Sequence, residues 1–192
     1  MRVTKEQAAQ NRQALLDAAA RLFKERGIDG VGVAEICAAA GLTHGALYKH
    51  FADKQELAAC ALADSFGRGF DRLARPKAGA PASHEDLLAR YLTPAKRDNL
   101  ADACPLLASA CEIGRQGEAV SRSYAESFVT LRDAVLAGLP DTPQREALAT
   151  TIVAALTGAM AISSGVLKTD RELADDVLES VATVLRGLGA AR

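Results

Sequence analysis

Residues 33–51, VAEICAAAGLTHGALYKHF, decide the reading of this 192-residue chain. Val33 and Ile36 are spaced to face inward on a short helix, and Gly41 stops it. Thr43 comes two residues later and caps a second short helix, THGALYKHF. Two short helices joined by a glycine turn are the geometry by which a helix-turn-helix sets its second helix in a DNA major groove. Thr43, His44 and Gly45 then lie at the leading end, where side chains and backbone N–H groups can approach bases or phosphates. Gly45 has no Cβ to hold a nucleic-acid backbone away. Tyr48, Lys49 and His50 can follow as phosphate contacts, and Lys54 adds charge at the start of the next helix. The bland reading of the same residues has Lys49 and Lys54 solvated, Tyr48 half-buried against the first helix and His44 an ordinary surface histidine. Spacing alone leaves both readings open.

Upstream, Thr4 with Gln7 starts a helix whose inward residues are Leu15, Ala19, Leu22 and Phe23, and Gly27 ends it. GIDGVG is a turn with three glycines. Downstream, Asp53 caps a fourth helix running through Leu57, Leu62 and Phe66 to about Arg75. The stretch 75–83 reads as a linker, helical pattern resumes from His84 to Leu92, and Pro94 interrupts it. A further helix starts between Asp102 and Pro105 and carries Leu106, Leu107 and Cys111. Another spans about Glu118 to Leu139. Thr142 with Pro143 at the first helical position opens a long helix to about Val166. Thr169 with Glu172 gives a capping box for the last helix, which presents Leu173, Val177, Val181, Val184, Leu185 and Leu188.

The chain is 49% hydrophobic, 24% charged and 4% aromatic, with no Trp. Abundant alanine and the lack of β-rich stretches make it all-α. Its net charge of -1 excludes a polybasic or polyacidic disordered chain. Residues 1–55 hold eight Lys or Arg against six Asp or Glu, and residues 56–192 hold fifteen against eighteen. Only the head has the sign expected of a polyanion-binding module. Four cysteines do not make a disulfide scaffold, and no run reaches the ~18 apolar residues that cross a bilayer. The plain expectation is a cytoplasmic protein with no membrane partner. A nucleophile elbow, a phosphate-cradling loop with its Lys and a His-Glu-x-x-His motif are all absent from the sequence. No enzyme activity, cofactor or metal is therefore expected.

The segment LLDAAARLFKERGIDGVGVAEICAAAGLTHGALYKHFADKQELA, within about Gln13 to Ala59, resembles the TetR family of bacterial transcriptional regulators (tetracycline-repressor type). Ala-Gly-Leu-Thr, Gly45, Leu47-Tyr48, His50-Phe51, Lys54 and Leu57 carry the resemblance. It implies a three-helix DNA-binding head, residues 1–55, on a helical ligand-binding and dimerisation body, residues 56–192. Thr43, His44, Gly45 and Ala46 would face the groove, and Tyr48, Lys49, His50 and Lys54 would meet backbone or groove. The family often has Thr or Ser before its second helix. Here Val31 and Gly32 stand there, so the usual hydroxyl cap is missing.

In the body, the last two helices carry apolar stripes. Ile152, Leu156, Ala159, Val177, Val181 and Val184 are the candidate dimer surface, with Ala154, Ala155 and Gly158 permitting close approach. The alternative is that these stripes pack within one subunit. Tyr91, Cys104, Leu107, Cys111, Tyr124, Phe128 and Met160 are candidates to line a site for a small apolar or aromatic effector, although each alone also reads as core. Cys104-Pro105 resembles a Cys-Pro-Leu segment of some family members, and a cysteine at a helix start can be reactive. Cys111 on the same helix would be too far from Cys104 for a disulfide. The resulting expectation is a ligand-responsive regulator, foremost a repressor, binding a palindromic double-stranded operator as a homodimer. The alternatives are an activator or constitutive DNA-binding regulator without a small ligand, and a helical enzyme or interaction module retaining the fold only.

Overall fold

The computed structural model describes residues 4–76, 82–99 and 104–189. These form α1 (Lys5–Arg26), α2 (Val33–Ala39), α3 (His44–Leu47), α4 (Lys54–Leu73), α5 (His84–Tyr91), α6 (Pro94–Asp98), α7 (Pro105–Ser109), α8 (Glu118–Ala137), α9 (Arg145–Val166) and α10 (Arg171–Gly189), with a 3-10 turn at Ile113–Arg115. No strand occurs among the described residues. The all-α expectation is met.

Local chemistry explains most helix ends. Thr4 accepts from the Gln7 N–H at 3.1 Å, and Asp53 accepts from the Glu56 N–H at 2.8 Å. Gly27 ends α1 at φ 76, a left-handed conformation that strains other residues. Ser83 and Asp86 make a reciprocal capping box on α5.

Five boundaries differ from the sequence reading. The second short helix, expected over THGALYKHF, ends at Leu47, and residues 48–50 form a turn. Pro94 starts the short helix α6, because a proline at the first helical position gives up no hydrogen bond, and Thr93 caps it. The helix after Cys104 ends at Ser109, which leaves Cys111 in the following turn. The helix expected from Thr142 and Pro143 begins at Arg145, whose guanidinium turns back onto the Leu136 carbonyl at 2.8 and 3.1 Å. Asp170, not Thr169, caps α10 by accepting from the Leu173 N–H at 2.9 Å. The Thr169 hydroxyl instead donates to the Val166 carbonyl. The middle of the expected 75–83 linker and the possible start at Asp102 lie outside the described residues.

Two hydrophobic cores share one helix. The head core joins Leu15, Leu22 and Phe23 of α1 to Ile36, Leu47 and Phe51, and takes Leu57, Ala58, Ala61 and Leu62 from the first half of α4. The body core takes Phe66 and Leu73 from its second half and packs them with Leu88, Leu131, Ile152, Leu156, Met160, Leu178 and Leu185. Tyr124 of α8 packs against both cores, and the Ser123 hydroxyl donates to the Ala59 carbonyl of α4 at 2.9 Å. One helix, α4, thus contributes to both cores.

By length and composition α9 would suffice to cross a membrane, which the sequence reading did not find in any run. In the fold one side of α9 lies in the body core between α8 and α10, where Ile152, Val153, Leu156, Ala159 and Met160 are buried.

Candidate nucleic-acid interface and body cleft

The tip of the head is built on buried residues that fix its exposed ones. Gly41 turns the chain at φ 68, with the Leu42 N–H donating to the Cys37 carbonyl at 2.9 Å. The next helix is anchored by Leu47, which is fully buried, and by Phe51, under the Arg12 guanidinium at 5.0 Å. Thr43, His44, Gly45, Tyr48 and Lys49 are left exposed, while Ala46, His50 and Lys54 are half-buried. A Cβ on Gly45 would meet nothing within 4 Å, so its backbone is open to a close approach.

Three details refine the sequence reading. Thr43 occupies the cap position, but its hydroxyl makes no capping bond, which leaves it available to another partner. Tyr48 is 52% exposed and is not packed into the head. Its ring meets His44 edge-on, with centroids 5.2 Å apart, so the two side chains hold one another upright on the surface. Lys49 and Lys54 make no ion pair among the described residues. Gly32 caps α2 without a side chain, as the missing hydroxyl implied.

The body contains a small cleft, open to solvent, between α1, α4, α5, α6, α7, α8 and α9. It brings together three of the seven expected lining residues: Tyr91, Cys104 and Met160. Phe66, Phe70, Leu73, Leu131 and Pro105 complete the apolar wall, and Lys24, Arg72 and Lys96 supply charge. Those cations escaped the sequence reading. Leu107 and Phe128 belong to the body core, and Tyr124 directs its hydroxyl to the Leu106 carbonyl at 3.4 Å. Cys111 is exposed beyond α7. None of these four lines the cleft. The described cysteines are free thiols. Burial, with Cys104 beside it, pushes the Tyr91 phenol well above its ordinary value, so the group is neutral. Burial also raises the Cys37 thiol and the Tyr124 phenol.

The expected dimer residues divide. Ile152, Leu156 and Ala159 are buried inside the protomer's own core and offer no free face. Val177 and Val181 are half-buried, and Val184 is 63% exposed. The outward apolar stripe of α9 runs instead through Ala154, Gly158, Ile162 and Gly165, with Ile162 58% exposed. Leu173 and Val184 continue such a surface on α10.

Residues 15–60 match the model of the family described as bacterial regulatory proteins, tetR family. The HTH-type transcriptional regulator AcrR of Shigella flexneri is 48% identical over 56 residues, 29% of this chain and 26% of that protein. The HTH-type transcriptional regulator TtgR of Pseudomonas putida is 44% identical over 75 residues, 39% of this chain and 35% of its own. The chain thus aligns with about a third or less of the length of these curated relatives. Among solved structures, the reduced form of E. coli NemR aligns over 95% of this chain and 98% of that one, with a TM-score of 0.79 and 17% identity. A TetR-family transcriptional regulator from Cytophaga hutchinsonii aligns over 100% of both chains, with a TM-score of 0.75 and 19% identity. The sequence matches are confined to the head and its neighbourhood. The structural likeness is one of fold.

Proposed function

We propose that this TetR-family chain is a ligand-responsive transcriptional regulator, foremost a repressor, that binds a palindromic operator as a homodimer. The exposed tip of the head carries the reading: Thr43, His44, Gly45, Tyr48 and Lys49 project from a helix-turn-helix whose other side is locked into the head core. In this reading Thr43, His44, Gly45 and Ala46 meet the major groove, and Tyr48, Lys49, His50 and Lys54 meet phosphates or groove edges. Both relatives quoted above are named as transcriptional regulators, and BepR of Brucella suis, 47% identical over 57 residues, is named a repressor.

The exposed apolar stripes of α9 and α10, which would lose contact with water when two copies pack together, support the dimer. Two heads then reach two half-sites about 34–36 Å apart, or a multiple of that. The body cleft receives a small apolar or aromatic effector. Occupancy favours a body conformation whose α4 positions the heads differently, so that effector and operator oppose one another reciprocally. Selection of operators from a random duplex pool tests the function. The expected product is a palindrome with two half-sites, and a folded chain that enriches no duplex would overturn the reading.

A further inference from the structure

We propose that the body cleft is built for an amphipathic organic anion, an apolar or aromatic body carrying one acidic group, which Arg72 and Lys96 hold at the cleft. The inference rests on the effector-binding reading of the body and adds the ligand's charge to it.

Three observations support the acidic group. Lys24 from α1, Arg72 from α4 and Lys96 from α6 converge on the cleft, and no Asp or Glu is among its described lining residues. Arg72 and Lys96 make no ion pair among the described residues. Charges of one sign beside low-dielectric walls focus their potential into a cleft and favour an anion over a neutral or cationic molecule. A second, independent feature lies at the apolar wall. The Tyr91 hydroxyl is buried beside Cys104 and Thr157, close enough to interact with both, yet it makes no well-aligned hydrogen bond among the described residues. A buried polar atom left unpaired is costly, and a ligand oxygen or nitrogen would satisfy it. The rest of the wall includes Phe66, Phe70 and Met160, which suits rings or alkyl chains and not a bare inorganic ion.

Gly69 supplies a clean way to close the cleft. A Cβ there meets nothing within 4 Å, and the residue lies inside α4, where leucine is the better helix former. The full chain would be titrated with 8-anilino-1-naphthalenesulfonate and with its neutral analogue N-phenyl-1-naphthylamine, following fluorescence. The sulfonate is expected to bind about tenfold more tightly, the scale of a charge-assisted hydrogen bond. The double variant Arg72→Gln/Lys96→Gln should lose that preference and keep its affinity for the neutral compound. Gly69→Leu should abolish both. Tyr91→Phe should raise the thermal midpoint of the ligand-free chain while weakening the sulfonate. Equal binding of both probes, or sulfonate affinity unchanged in the double variant, would overturn the anion proposal and leave the effector reading standing if Gly69→Leu still blocks. Binding of both probes undisturbed by Gly69→Leu would remove the effector from this cleft altogether.

Discussion

The Glu112 carboxylate accepts a hydrogen bond from the Ile28 backbone N–H at 2.8 Å. Ile28 lies just past the end of α1 in the head, and Glu112 follows α7 in the body. The same carboxylate oxygen is 2.9 Å from where a Cβ on Gly27 would stand, so a side chain there would push the Glu112 carboxylate aside. Beside it, Gln116 donates to Asp29 at 3.1 Å and accepts from Gln55 at 3.1 Å, while the Gly117 N–H donates to Gln55 at 3.2 Å. Pro105, at the other end of α7, lines the cleft. One short helix thus separates the cleft from the polar links to the head.

Replacing Glu112 should loosen that link without unfolding either core. Glu112→Ala removes a charge-assisted acceptor worth about 1.5–3 kcal/mol. The Ile28 amide is expected to exchange with deuterium faster by the corresponding factor, while the Leu47 and Leu156 amides keep their protection. Equal loss of protection at all three would mean global destabilisation instead.

On the DNA side, Lys49→Ala and Lys54→Ala should each weaken operator binding across sequences. Each should also lower the slope of log affinity against log salt by about 0.9, the share of one phosphate contact. Thr43 and His44 substitutions should instead redistribute base preference within a half-site. Affinity measured over a salt series, together with duplex selection, separates the two classes. An unchanged slope in both lysine variants would place those side chains off the phosphates.

The head was legible because its signals are local. Thr4, Gly27, Gly41 and Asp53 each mark an end through their own backbone chemistry, and the residues that project follow from the few that must be buried. The cleft was legible only in part. Lys24, Arg72 and Lys96 look like ordinary solvated charges in sequence, and only the convergence of α1, α4 and α6 makes them a set. The α9 half of the expected dimer stripe was misplaced for another reason. Because α9 is apolar nearly all round, helical periodicity does not say which side faces inward. Ile152 and Leu156 match the stripe as well as Ala154 and Ile162 do, and tertiary packing takes the larger pair inside.

That division makes a contrast testable at α9 and α10. Ile162→Glu and Val184→Glu place charges on exposed positions, so the chain should stay folded and fall to a monomer. Leu156→Glu places a charge where the side chain is 1% exposed, which costs several kcal/mol or more and should unfold the body. Light scattering gives the mass and circular dichroism the helix content. A dimer that survives both surface variants would move the interface away from these helices.

Thiol chemistry should follow exposure. Cys111 is exposed, Cys104 and Cys60 are half-buried, and Cys37 is buried with its thiol pushed up by desolvation. Alkylation with iodoacetamide is expected at Cys111 first and at Cys37 last. Because Cys104 lines the cleft and Cys111 does not, a bound aromatic sulfonate should protect the former alone. Mass spectrometry of timed digests reads both. Protection of both cysteines would indicate a change in the whole α7 segment.

Arg97 ties α6 to α9 and α10 with a side chain that has no solvent exposure. It donates to Asp98 at 2.7 Å, to Asp175 at 2.6 Å and to the Ser163 hydroxyl at 3.2 Å, and that hydroxyl donates to the Ala174 carbonyl at 2.6 Å. Arg97→Ala leaves this polar cluster without its cation and should destabilise the body, whereas Arg97→Met, which refills the volume, should destabilise it less. The Arg97 hydrogen bond, followed by that of Arg171, holds the Asp98 carboxyl below its ordinary range. A carboxylate depressed on folding contributes stability that is fully present above its unfolded value of about 3.9 and is lost as pH falls through the folded value. Asp98→Asn should therefore lower stability at pH 7 and make its fall below about pH 4 shallower than in the wild type. Urea unfolding at a series of acid pH values measures that slope, and parallel curves for the two proteins would show that Asp98 is not the linked group.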